Sequence, residues 1–109
     1  MTLNEYQEKA MRTSTFKDDN DRLFHAIFGL TSEAGECSGI LQKTYQGHEF
    51  DKEHLVSELG DCLWMIAEAL YALDVPLEAC ADHNIKKLQA RYPWGFTPTL
   101  SINRRQGDI

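Results

Sequence analysis

Along KEHLVSELGDCLWMIAEALYAL (52–73), Leu55, Cys62, Met65 and Ala69 return to one direction at about 100° per residue, the signature of one buried helix face. RLFHAIFGLTSEAGECSGILQKTY (22–45) carries the same period, with Ala26, Leu30, Cys37 and Ile40 on its apolar arc. No stretch alternates apolar and polar residues as a half-buried strand would. Two long amphipathic helices therefore dominate whatever this chain folds into.

Punctuation supplies the rest. Thr2 or Asn4 is expected to cap a first helix through EYQEKAMR, with Leu3, Tyr6, Ala10 and Met11 inward. STFKDDN breaks the chain, and Asn20 or Asp21 is expected to cap the second helix, from about Arg22 to Tyr45, ended by Gly47. Asp51 caps the third helix, Lys52 to about Leu73. Pro76 suits the first turn of a fourth, which Tyr92-Pro93 stops after Arg91. The fold class is all-α, a four-helix bundle-like domain with two long central helices over residues 1–96. Residues 97–109, punctuated by Gly and Pro, are expected to be an extended or partly disordered tail.

The chain has 109 residues and a formal net charge of −6, so one domain without the basic surface a nucleic-acid partner requires is expected. An anionic small substrate stays open if a divalent cation supplies positive charge. The three cysteines show no CxxC spacing and read as reduced, packed thiols of a cytoplasmic protein. The first residues are too polar for a signal peptide, and no apolar run reaches the roughly 18 residues of a membrane span.

Carboxylates are rarely buried unless paired or bound to metal. Four acidic i,i+3 pairs occur: Glu5/Glu8, Asp18/Asp21, Glu33/Glu36 and Glu58/Asp61. Among 17 acidic residues chance alone gives roughly two or three such pairs, so spacing by itself decides nothing. The surroundings do separate them. Glu5/Glu8 and Asp18/Asp21 lie near helix starts, where acids meet the helix dipole favourably. Glu33 instead projects into the apolar arc of the second helix, and Glu58 into that of the third, with Asp61 at its edge. Two readings stand: boundary acids paired with Lys or Arg, or ligands aimed inward. Four facing carboxylates would resist ionisation unless a hard cation joined them, and an all-oxygen set suits Mg2+, with Mn2+ as a substitute. A di-iron site wants Glu-x-x-His motifs, which neither helix has.

Asn84, Lys87 and Arg91 share one face of the fourth helix, where they make either a solvated basic surface or a phosphate clamp. Lys43, two turns beyond Glu36, is a further phosphate-contact candidate. Trp64 reads equally as core or as a platform for a base, and His25 as a structural histidine or a substrate contact. Gly29, Gly35 and Gly39 each weaken the second helix by about 1 kcal/mol relative to Ala, which calls for close packing or for approach of a ligand.

GLTSEAGE (29–36) followed by SELGD (57–61) resembles the ExxE…ExxD pattern of the MazG-like all-α nucleoside triphosphate pyrophosphohydrolases. QKTYQGHEFD (42–51) and NIKKLQARYPWGF (84–96), with NxxK as Asn84 and Lys87, extend the resemblance over roughly residues 3 to 96. It implies hydrolysis of a (deoxy)nucleoside triphosphate to the monophosphate and pyrophosphate, a house-cleaning role in the nucleotide pool. It also implies Mg2+ on Glu33, Glu36, Glu58 and Asp61, one of which orients the attacking water, and phosphate or sugar contacts from Asn84, Lys87, Lys43 and Arg91. The family's habit of assembling as dimers or tetramers implies a homo-oligomer. The segment after Phe96 matches nothing in the family pattern, and the base-reading residues lie outside the shared motif, leaving Trp64 and His25 as candidates. The competing expectation is a helical module that binds nucleotide or metal without turnover.

Overall fold

Helix α1 (Leu3–Met11) starts where the Thr2 hydroxyl accepts the Glu5 amide at 3.1 Å. Helix α2 runs over Asp19–Tyr45, α3 over Lys52–Ala72 and α4 over Leu77–Arg91 in the computed structural model, which describes residues 1–104. The expected start of α2 is corrected: its cap is Asp18, which accepts the Asn20 amide at 2.7 Å. Asp19 and Asp21 thereby fall in the first turn, where their charges favour the helix dipole, and Arg22 fixes that turn by bonding both Asp19 and the Phe16 carbonyl.

The ends of α2 and α3 are the same device. Gly47, at φ 108°, lets its own amide reach Thr44 O at 3.0 Å and the His48 amide reach Lys43 O at 3.0 Å. Asp74, at φ 59°, does likewise for α3, with Val75 N donating to Leu70 O at 2.8 Å. Asp51 accepts the His54 amide at 3.0 Å and opens α3, so the turn between the long helices is fixed at both sides.

Contacts divide the chain into two units, Met1–Leu77 and the part from Glu78 onward. In the first, α2 packs along α3, and α1 lies against α3. Gln7 fastens α1: its amide nitrogen donates to Ala67 O and Val75 O at 3.1 Å each, and its oxygen accepts Leu77 N at 3.0 Å. The buried apolar residues are mostly small, Ala10, Ala26, Ala67 and Ala69 with Ile40 and Leu77, which lets helix axes approach closely. Leu3, expected inward, is exposed. Close packing accounts for Gly29, where a Cβ would come 2.5 Å from the Met65 sulfur; Gly35 and Gly39 face open space.

The second unit holds α4 beyond Leu77 and a short helix α5 (Pro98–Ile102), where an extended chain was expected. Thr97 accepts the Leu100 amide at 3.1 Å and Pro98 occupies the first turn, so TP at 97–98 is a helix start that sequence reading passed over. The expected tail beyond 104 lies outside the described residues.

Two glycine substitutions should move stability in opposite directions. Gly47→Ala forces a Cβ into left-handed backbone and is expected to cost about 1–2 kcal/mol. Gly39→Ala adds helix propensity in open space and is expected to gain up to about 1 kcal/mol. Urea-unfolding midpoints of the two variants check both signs.

Candidate functional site

The α2–α3 contact brings Glu33 of one helix to Glu58 and Asp61 of the other. One carboxylate oxygen from each of the three lies within 4.8 Å of the others. Glu33 and Glu58 are half-buried and Asp61 is exposed. The Glu33 carboxyl is pushed above its ordinary value of 4.5, first by burial and then by a hydrogen bond with Glu58 and the charges of Asp61, Glu58 and Glu36. Glu36 stands outside the three-acid group and is exposed, near enough for its charge to act on Glu33. Among the described residues no Lys or Arg makes an ion pair with Glu33, Glu58 or Asp61. The nearest compensating group is His54, whose Nε2 lies 3.2 Å from Glu58 Oε1 one turn away. Clustered oxygen donors with unbalanced negative charge fit a hard divalent cation.

Other groups border the cluster. Burial raises the Tyr6 phenol, and the charge of Asp61 raises it further. The Cys37 thiol is raised first by burial, then by a hydrogen bond to Cys62 and by the charges of Cys62, Glu58 and Glu33. A cavity of about 310 Å³ opens at Glu33, Asp61, Trp64 and Met65. A second, also about 310 Å³, is lined by Glu36, Lys43, His48 and His54 among others, so the sequence candidate Lys43 faces the same space as Glu36.

Trp64 is anchored, its Nε1–H donating to Thr13 Oγ1 at 2.9 Å and Ala10 O at 3.2 Å. His25 is engaged too: its Nδ1 bonds a carboxylate oxygen of Glu68, a residue with no solvent exposure. The other oxygen of Glu68 accepts the Ser14 hydroxyl at 2.9 Å, and Ser14 Oγ accepts Arg22 Nε–H at 3.3 Å. Asn84, Lys87 and Arg91 occupy α4 in the second unit, with Asn84 exposed and the other two half-buried.

Sequence reading missed His54, Glu68 and Ser14. His54 stands four residues before Glu58, a spacing that pairs side chains on a helix. Glu68 lies seven residues after Asp61 and so shares its direction, the one signal that was available.

The model of the MazG nucleotide pyrophosphohydrolase domain matches residues 25–96, which include Glu33, Glu36, Glu58 and Asp61. The chain belongs to that family. It is also similar to the Gene 37 protein of Mycobacterium phage L5, 29% identical over 114 residues that cover 95% of this chain and 100% of the phage protein. No solved structure matched the chain. Among the described residues no helix is long and apolar enough to cross a membrane.

The raised Glu33 carboxyl has a consequence for metal-free protein. A group that holds its proton more tightly when folded favours folding below its ordinary value of 4.5, and that contribution is lost as pH rises through the higher folded value. Glu33→Gln, which cannot ionise, is therefore expected to gain stability relative to wild type between pH 4.5 and neutrality. Paired denaturant titrations in chelator across that range check the trend.

Proposed function

We propose that the protein hydrolyses (deoxy)nucleoside triphosphates to the monophosphate and pyrophosphate in the cytoplasm, using a divalent cation, Mg2+ with Mn2+ as a substitute. The observation that carries this reading is the three-carboxylate cluster of Glu33, Glu58 and Asp61, which lies within the residues that match the family. A cation held there supplies the positive charge that a triphosphate needs beside so acidic a surface.

The protein groups divide the remaining work. Glu33, Glu58 and Asp61 hold the ion. Glu36, exposed and one turn from Glu33, is left to orient the attacking water. Attack at the α-phosphorus forms the new P–O bond and breaks the one to the bridging oxygen, so pyrophosphate leaves as one unit. Lys43 meets phosphate oxygens from the cavity it shares with Glu36. Asn84 and Lys87, the NxxK element, and Arg91 after them on α4 are assigned to phosphate and sugar.

A homodimer or homotetramer is part of the proposal. Phe24, Ile27 and Phe28 on α2, with Val56 and Leu59 on α3, are largely exposed in the single chain. Apolar residues gathered on two adjoining helices are characteristic of a surface covered by another subunit.

Incubation of each dNTP with the protein and Mg2+ should release pyrophosphate, and removing the metal should stop it. Glu58→Gln and Asp61→Asn are each expected to lower turnover by about 100-fold or more while leaving helical circular dichroism unchanged. Orthophosphate as the first product would overturn the assignment. Tight nucleotide binding without turnover on any dNTP would make the chain a binding module instead.

A further inference from the structure

Glu68 is the least expected charge in the molecule. Its side chain has no solvent exposure, and its neighbours along the chain, Ala67 and Ala69, are buried as well. An aliphatic residue would fill such a place without the desolvation that a carboxylate incurs. The chain instead assembles two partners for it from two separate segments, with a third group behind one of them. His25 Nδ1 bonds one oxygen, the Ser14 hydroxyl donates to the other, and Arg22 Nε–H donates to Ser14 in turn. Arg22 is itself buried, its guanidinium 5.0 Å from the centroid of the Tyr71 ring.

The array ends on an aromatic stack beside the acidic cluster. His25 sits between Phe16, centroids 4.8 Å apart, and Trp64, which it meets edge-to-face at 6.1 Å. The Trp64 N–H is spent on Thr13 and Ala10 at the end of α1. An indole held by its nitrogen and by a neighbouring ring cannot turn, and its own helix fixes its root. Yet it is only half-buried, and it lines the cavity of about 310 Å³ that also contains Glu33 and Asp61. A tryptophan serving only as core would be enclosed, and one serving only as surface would not be clamped.

Resting on the pyrophosphohydrolase reading, we propose that Trp64 is the stacking wall for the nucleobase, and that buried Glu68, through His25, is the positioning residue that holds this wall beside the carboxylate cluster. An aromatic face serves any base, because every base has a π-surface, so the wall contributes affinity for nucleotides over bare polyphosphate. The Glu68 array consists of internal hydrogen bonds that end on the Trp64 wall, so its influence reaches the substrate through the base.

Calorimetry with Mg2+ tests this, using the α,β-imido forms of the four deoxynucleoside triphosphates and, as a ligand without a base, inorganic tripolyphosphate. Trp64→Leu is expected to weaken nucleotide binding by about 5-fold to 100-fold, the worth of one aromatic–base stack, and to leave tripolyphosphate binding unchanged. Glu68→Gln should weaken nucleotide binding in the same selective way, by about 10-fold. In the double variant Glu68→Gln should add nothing to Trp64→Leu, because the first acts through the second. Four results would overturn the inference: full nucleotide affinity in Trp64→Leu, equal loss of both ligands, additive losses, or a wild type that binds nucleotide no better than tripolyphosphate. Trp64→Leu leaves the Glu68 array intact and carries the test if Glu68→Gln does not fold. Selective loss in a protein without turnover would defeat the enzymatic reading and keep the wall; turnover with full affinity in Trp64→Leu would defeat the wall alone.

Discussion

Packing α2 against α3 sets like charges against one another, because the faces that bring the two helices together also carry Glu33, Glu58 and Asp61. The repulsion is not relieved by a lysine or arginine among the described residues. Part of it appears as a raised Glu33 carboxyl that shares a hydrogen bond with Glu58. Gly29 on α2, where a Cβ would meet the Met65 sulfur of α3, is one residue that allows this close approach. A fold built only for stability would have no reason to concentrate acids along its principal contact.

Glu68 shows what the same protein does with a carboxylate it intends to neutralise by itself. That group is withdrawn from solvent entirely and given His25, Ser14 and, through Ser14, Arg22. Among the described residues, the basic contact of the Glu33, Glu58 and Asp61 cluster is His54, on Glu58 at one edge. The contrast along one face of α3, seven residues apart, separates an acid that completes an internal network from acids gathered at the contact with α2.

Most of the architecture could be read from the chain. The period of the apolar residues, the Asp51 cap, Gly47 and Pro76 placed the long helices and their ends, since those signals act over a few residues. The α2 start was ambiguous because DDND (18–21) contains four competent caps, and the selection is tertiary: Arg22 reaches back to Asp19 and Phe16. Glu33, Glu58 and Asp61 could be singled out because they interrupt apolar faces. Glu68 could not, because AEAL reads as an ordinary amphipathic turn and its histidine partner lies 43 residues away. Trp64 likewise stayed undecided between core and platform, since both its anchors, on Ala10 and Thr13, come from another element.

The account stands on Glu33, Glu58 and Asp61 forming a site for a hard divalent cation. Titration of the protein with Mn2+, followed by the electron paramagnetic resonance signal of the free ion, measures this directly. Wild type is predicted to remove Mn2+ from solution, with Mg2+ competing, and Asp61→Asn to lose most of that capacity while remaining helical. No uptake by wild type, or equal uptake by wild type and Asp61→Asn, would contradict it.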